Sequence, residues 1–388
     1  MNALAITLVS APVALFGYAY AVYPLALRGA ASFRPPLPPP TDPVEWPELT
    51  ITVPVYNERA GIRAKLEELL ALDYPADRRR ILVISDASSD GTDDIVREFA
   101  GQGVSLLRLT DRSGKTAAEN AAAAHLWGTL VVNTDATTRL LPASLKALVR
   151  AFGDPTVGAA SGRDVSVGAA ETTANGGESG YVGYEMWVRG LETRIGSIVG
   201  VSGCFYAIRR ELYDASFPEN LSRDFGCAMS VRERGYRVVS VNEALCIVPR
   251  GGSLRAEFRR KVRTMQRGLR TLWYKRALLD PMQYGSFAVM LASHKLARWV
   301  APLTLPPALV GLALLAREVP AARALLILAV LGTGIGAVGM GWPEDRRLPR
   351  LLAIPAFMLA ANVAGVKAWI EAMRPGAGRI WEPTRRPV

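Results

Sequence analysis

Four stretches of the chain lack charged side chains for long enough to matter to a bilayer. Met1–Leu27 has no charged residue before Arg28, and its length suffices to cross a hydrocarbon layer of roughly 30 Å. A cleaved leader carries its positive charge ahead of the apolar run; here the charge comes behind it, so a retained span is predicted. The last third holds three more uncharged runs, Trp299–Ala316, Ala324–Pro343 and Leu351–Val366. The first of these is short and broken by Pro302, Pro306 and Pro307, which allows a kinked or re-entrant segment. The second carries Gly332, Gly334, Gly336, Gly339 and Gly341, small residues that let membrane helices approach closely. If all four segments cross, the two ends of the chain share a side, opposite the middle. The tail from Lys367 has five basic residues against two acidic, which favours the cytoplasm by the positive-inside rule. The loop Glu344–Arg350, with three arginines, makes the competing claim.

Between the first and second apolar runs the pattern changes. Leu49–Val55 is an apolar, β-branched strand, and Ala60–Leu72 has helical spacing. Ile81–Ser85 is a second strand, Asp93–Ala100 a helix, Val104–Leu109 a strand, Thr116–Trp127 an Ala-rich helix and Leu130–Asn133 a further strand. Strands alternating with helices predict an α/β domain with a mostly parallel sheet. In such sheets ligands sit beyond the carboxyl ends of the strands, where Asp86, Asp90 and Asp135 fall. Pro35–Pro40, Pro43 and Pro47 form a stiff extended linker into this domain.

Composition agrees with two kinds of material in one chain. Half of the 388 residues are hydrophobic and 21% are charged, with a mean hydropathy of +0.15. The apolar content excludes disorder. Three cysteines without metal spacing exclude a disulfide scaffold and suit a reducing compartment. The formal net charge is +11. Much of it lies in Ser253–Arg276, with nine basic residues against one acidic. Leu254, Phe258, Val262, Met265, Leu269, Leu272 and Trp273 recur there at spacings of three and four, so a basic amphipathic helix at a membrane surface is expected, and no nucleic acid.

Individual acidic residues carry weak signals. Asp90 before Gly91 reads as a turn former as readily as a ligand. Asp135, at the end of a buried strand, is placed to hold a divalent cation, and Arg112 and Lys115 to reach phosphates. The P-loop spacing is absent. His125 reads as structural, and His294, leading into an apolar run, as a headgroup contact. Glu171–Gly180 reads as a mobile loop able to close over an acceptor.

Taken in order, the motifs resemble those of the family 2 inverting glycosyltransferases. They are Thr52-Val-Pro-Val-Tyr-Asn-Glu58, Ser85-Asp-Ala-Ser-Ser-Asp-Gly-Thr92, Gly114-Lys115 with Asn120, Thr134-Asp-Ala136, Val201-Ser-Gly-Cys-Phe-Tyr-Ala-Ile-Arg-Arg210 and Ser222-Arg-Asp224. The membrane segments on both sides resemble the branch that includes hyaluronan and cellulose synthases. The resemblance implies a nucleotide-sugar-binding, Rossmann-like glycosyltransferase A-type fold with transmembrane helices. It implies that Pro54, Tyr56, Glu58 and Asp86 hold the nucleoside of a UDP-sugar, that Lys115 lies near the diphosphate, and that Asp135 binds Mg²⁺ or Mn²⁺. Asp224 would be the general base; Gly203, Cys204 and Trp187 would face the acceptor, a polysaccharide or a lipid. Trp187 and Tyr184 would stack on sugar rings or simply pack.

Three departures bear on these roles. Asp135-Ala-Thr137 has Thr where a second metal carboxylate is usual, and Ser222-Arg-Asp224 lacks the acidic residue that commonly precedes the base. Gln266-Arg-Gly-Leu-Arg270 is followed by Thr271 rather than Trp, so Gln266, Arg267 and Arg270 at the diphosphate or acceptor, and processivity with them, rest on an altered motif. The resulting plan is a membrane helix at 1–28, a linker at 29–48, a catalytic domain at 49–250, basic interfacial helices at 251–298, a membrane region at 299–372 and a basic tail at 373–388. It implies a multi-pass protein of a bacterial inner membrane with a cytoplasmic catalytic domain. The product is a polymer or a single sugar on a lipid carrier. A non-catalytic scaffold or sensor, with export or assembly subunits as partners, is the alternative of another class.

Overall fold

The computed structural model describes residues 3–36, 38–168, 173–250, 254–343 and 348–374. Part of the expected Glu171–Gly180 loop, part of the Glu344–Arg350 loop and the tail from residue 375 lie outside the described residues.

One eight-stranded sheet organises the α/β domain. Its strands are β1 (Leu49–Val55), β2 (Arg79–Ser85), β3 (Val104–Arg108), β4 (Leu130–Thr134), β5 (Arg139–Leu140), β6 (Val157–Gly168), β7 (Phe205–Arg209) and β8 (Arg237–Arg250), in the order β3-β2-β1-β4-β7-β6-β8-β5. Every residue of β1 and β4 is buried, as expected for strands covered on both faces. The first four strands are parallel, as the alternation predicted. The rest of the sheet is mixed: β7 runs antiparallel to both β4 and β6, while β6 and β8 are parallel. The antiparallel pairing matters for the site. Because Thr134 pairs with Phe205, the end of β4 meets the turn that enters β7, and the Asp135 N–H donates to the Cys204 carbonyl at 3.4 Å.

The helices of this domain are α2 (Ile62–Leu70), α3 (Thr92–Arg97), α4 (Lys115–Ala122), α5 (Ser144–Arg150), α6 (Thr173–Ile195) and α7 (Arg223–Glu233); α1 precedes them and is Ala3–Ser32. Leu66, Leu69, Leu145 and Leu148 pack with β1, β2 and β4 in the largest core, while Ile198, Ala228, Val231 and Val238 build a second one. The expected mobile loop is a helix instead: α6 starts at Thr173, so Gly176, Gly177 and Gly180 are helical.

The basic stretch forms α8 (Leu254–Tyr274), as its periodicity predicted. Beyond it lie α9 (Ser286–Leu315), α10 (Pro320–Met340) and α11 (Arg350–Met373). With α1, these make four helices long and apolar enough to cross a membrane among the described residues. Two details correct the sequence reading. The second apolar segment begins at Ser286 rather than Trp299, and its first half carries Ser293, His294, Lys295 and Arg298, three of which meet the α/β domain. Of the α10 glycines, Gly336 and Gly339 lie against Pro355, Leu359, Ala356 and Leu352 of α11, whereas Gly332 and Gly334 meet nothing within 4 Å.

Candidate active site

A cavity of about 470 Å³ opens at the carboxyl ends of the central strands. Its walls come from the end of β1 (Pro54, Glu58), from α4 (Lys115, Thr116, Glu119), from Asp135 after β4, from the 200–204 turn, and from Ser222–Phe225 at the start of α7. Its far side is built by Glu185 and Arg189 of α6, Arg260, Arg263 and Arg267 of α8, and Lys295 and Trp299 of α9. The topology produces this meeting place on the sheet side, where Pro54, Glu58, Asp135 and the 200–204 turn lie at or near strand ends and Lys115 and Asp224 at helix starts.

Asp224 occupies the first turn of α7. Its Oδ1 accepts from the Ser222 hydroxyl and, at 2.9 Å, from the Phe225 N–H. A helix N-terminus favours a carboxylate, because its backbone N–H groups are unpaired and the helix dipole is positive there. The other face of the carboxylate is against Gly203: a methyl at that position would lie 2.6 Å from Asp224 Oδ2. The turn bearing Gly203 is pinned from behind. Arg189 donates to Ser161 Oγ at 2.6 Å and to the Gly200 carbonyl at 3.0 Å, and the Ser202 hydroxyl reaches Asp164 at 2.6 Å.

Across the cavity, Lys115 Nζ lies 2.6 Å from Asp135 Oδ1 and 3.2 Å from the Gly203 carbonyl. Burial works to lower the Lys115 ammonium, but Asp135 and Glu119 outweigh it and hold it above the ordinary lysine range. Glu119, one turn further along α4, is 2% exposed. Burial raises its carboxyl, with Lys115 and Arg223 pulling the other way. Arg223 Nε lies 3.9 Å from Glu119, and its guanidinium sits over the Tyr213 ring at 4.4 Å.

The residues read from the sequence separate into three groups. Pro54, Glu58, Lys115, Asp135, Gly203, Cys204, Asp224 and Arg267 all line the cavity. Tyr56 and Asp86 stand beside it. Both Asp86 oxygens accept backbone N–H groups, from Ser113 at 2.7 Å and Gly114 at 2.8 Å, while the Arg112 guanidinium lies 4.0 Å from the Tyr56 ring centroid. Trp187, Gln266 and Arg270 are elsewhere. Trp187 is 41% exposed and packs on Tyr184, outside the cavity. Arg270 donates to the carbonyls of Glu371 and Arg374 at 3.2 and 2.8 Å, and Gln266 to Glu371 at 3.4 Å, so both hold the C-terminal end of α11. Asp90 is the turn former: it accepts from the N–H groups of Arg59 and Thr92 at 3.0 Å each. His294 meets no headgroup; it is 1% exposed, between Glu185 and Glu192.

Sequence reasoning missed Glu119, Arg223, Arg189, Asp164, Glu185 and Lys295. The four-residue spacing of Lys115 and Glu119 on a helix was a usable signal; the others are brought in by tertiary contacts that no local pattern announces.

Among the described residues, no three His, Cys, Asp or Glu side chains gather as a metal-ligand group. Asp135 is thus a single protein carboxylate. Small divalent cations are often held by one or two carboxylates together with substrate phosphates. The Lys115 ammonium on Asp135 Oδ1 marks that oxygen as a cation-binding position, so the residues fit a site completed by a ligand's phosphates.

Residues 50–217 match the family model described as glycosyl transferase family 2. An N-acetylglucosaminyltransferase of Rhizobium sp. (strain N33) is 26% identical over 222 residues, which cover 52% of this chain and 48% of the relative. A beta-monoglucosyldiacylglycerol synthase of Synechocystis sp. (strain ATCC 27184 / PCC 6803 / Kazusa) is 27% identical, over 44% of this chain and 37% of its own. The chain spans about half the length of the curated relatives it matches first. The solved mannosyltransferase PcManGT from Pyrobaculum calidifontis, in complex with GDP-Man and Mn²⁺, has a TM-score of 0.74 at 25% identity and covers 96% of this chain and 98% of its own. Motif order, sheet topology and these likenesses agree in supporting a family 2 glycosyltransferase, its family domain lying at residues 50–217.

Proposed function

We propose that the protein is a membrane-embedded inverting glycosyltransferase that moves a sugar from a nucleotide diphosphate donor to a lipid-borne or polysaccharide acceptor. The observation that carries this reading is a single cavity with Asp135 and Lys115 on one wall and Asp224 on another. Pro54, Tyr56, Glu58 and Asp86 bind the nucleoside. Asp86 fixes the 112–114 loop with its two oxygens and retains lone pairs for the base. Lys115 exchanges its contact with Asp135 for the donor diphosphate. A divalent cation, Mg²⁺ or Mn²⁺, held by Asp135 would neutralise charge on the departing diphosphate.

Asp224 then acts as general base. It takes the acceptor hydroxyl proton while that oxygen attacks the anomeric carbon from the face opposite the diphosphate, which needs no covalent enzyme intermediate. Gly203 gives the carboxylate room on the acceptor side. The GDP-Man in the Pyrobaculum enzyme sets a GDP-sugar beside the UDP-sugar as a donor to try. That Lys295 and Trp299 of an apolar helix line the cavity supports an acceptor presented from the lipid surface. The orientation proposed is a catalytic domain in the cytoplasm of a bacterial cell.

The test is nucleotide release by purified protein in detergent across UDP- and GDP-sugars, with Mg²⁺, Mn²⁺ or EDTA and a membrane lipid extract. Metal-dependent release from one donor, lost in Asp224→Asn while nucleotide binding persists by calorimetry, is the expected result. Absence of both release and donor binding would remove the reading.

A further inference from the structure

A buried polar cluster joins the α/β domain to the apolar helices behind the cavity. His294 of α9 inserts between two carboxylates of α6 that lie two turns apart on one face. Its Nδ1 is 2.6 Å from Glu192 Oε1 and its Nε2 is 2.8 Å from Glu185 Oε1. The doubly protonated ring donates to both, whereas a neutral ring satisfies only one. Tyr23 of α1 donates to Glu192 at 2.6 Å. Arg298, 4% exposed, holds the other Glu185 oxygen at 2.9 Å. Burial works to raise the Glu185 carboxyl, but His294 and Lys295, with Arg298, hold it well below the usual carboxylate range.

Glu185 and Glu192 face His294, the Arg298 guanidinium and the Lys295 ammonium, and of the two permanent cations Lys295 is the loosely held one. Among the described residues its hydrogen-bond partner is Glu185, at 3.4 Å, so an ammonium with three donors makes one long contact while it lines the cavity beside Trp299 and Phe225. Arg260 and Arg263 line the same cavity.

Building on the transferase reading, we propose that Lys295 is an acceptor-binding residue that takes an anionic oxygen, phosphate or carboxylate, on the acceptor. Glu185, clamped by His294 and Arg298, is the positioning residue that sets the ammonium over the cavity. The cluster thereby ties acceptor recognition to the packing of α1 and α9 on the domain.

The experiment uses the full chain in detergent with membrane lipid extract split on an anion-exchange column into retained and flow-through fractions. Wild type is expected to transfer sugar to the retained, anionic fraction. Lys295→Gln should raise the acceptor KM about tenfold with kcat and donor affinity nearly unchanged, and Lys295→Arg should recover part of the loss. Glu185→Gln should raise the acceptor KM in the same direction, again without changing nucleotide binding by calorimetry. Transfer by wild type to the flow-through fraction alone, or an acceptor KM indifferent to Lys295→Gln, would overturn the proposal while leaving the transferase reading intact. A wild type that binds no donor and transfers to neither fraction overturns both.

Discussion

Asp224 is useful only if its carboxylate stays where the backbone of α7 and the Gly203 turn leave it. A methyl added at Gly203 would meet Asp224 Oδ2 at 2.6 Å, and one or the other has to move. Misplacement by about 1 Å can cost on the order of a hundredfold in rate. Gly203→Ala is therefore expected to lower turnover by about that factor with nucleotide affinity unchanged, read by steady-state kinetics beside calorimetry. The Glu185 carboxyl sets a second expectation, for pH. Because its folded value lies below its unfolded one, its contribution to stability is present above the ordinary glutamate range near about 4.3 and is lost as pH falls through the folded value. Thermal melts of wild type and Glu185→Gln should thus differ near neutrality and converge under acid. The motifs in the sequence sufficed to bring Asp135, Lys115 and Asp224 to one cavity. Gln266 and Arg270, read from the altered motif, do not line it; their side chains turn to the carbonyls at the end of α11, a tertiary contact that no local pattern announces.

At the scale of elements, β1 was readable to its end residues because both its faces are buried and its apolar run is unbroken. The β5, β6, β7 and β8 region was not readable as sheet order, since antiparallel and parallel pairing leave the same local pattern. One short connection shows how closely elements approach: Gly128 has φ +78°, and a Cβ there would lie 2.3 Å from the Glu48 carbonyl carbon and oxygen. Both the left-handed backbone and the contact exclude a side chain. Gly128→Ala is expected to destabilise the domain by about 2–4 kcal/mol, visible as a lower denaturant midpoint. The basic helix α8 has a divided task. Arg267 holds the Glu219 and Leu221 carbonyls at the cavity wall, while Arg270 holds the last carbonyls of α11. A cation on a helix C-terminus contributes roughly 0.3–1 kcal/mol. Arg270→Ala should cost about that much in a detergent melt and leave donor binding alone, a separation that a diphosphate-binding arginine would not give.

The placement of the whole chain in a membrane follows from one contact and a parity argument. The C-terminal carbonyls of α11 lie on Arg270 and Gln266 of α8, and α8 connects directly to the α/β domain. The end of α11 therefore leaves on the domain's side. If α10 and α11 cross a bilayer, a chain that departs from that side through α9 and returns to it crosses an even number of times, and α9 would then not cross. The apolar count alone gives four candidates and puts the tail opposite the domain only if all four cross, because hydropathy records length and composition but not where a helix end is anchored. The proline-broken α9 is the segment best suited to stop short. Its first half is spent on Glu185 and Glu192, and only the part after Trp299, interrupted by three prolines, is left for lipid. Its tip at Gly311 packs on Ala5, Leu8 and Val9 of α1. A reporter cysteine placed after Arg374 is accordingly expected to label from the same side as one on the domain surface, such as at the exposed Asp77, when inside-out and right-side-out vesicles are compared with an impermeant maleimide. Labelling from opposite sides would mean that all three helices cross and that the contact between α8 and α11 does not persist in the bilayer.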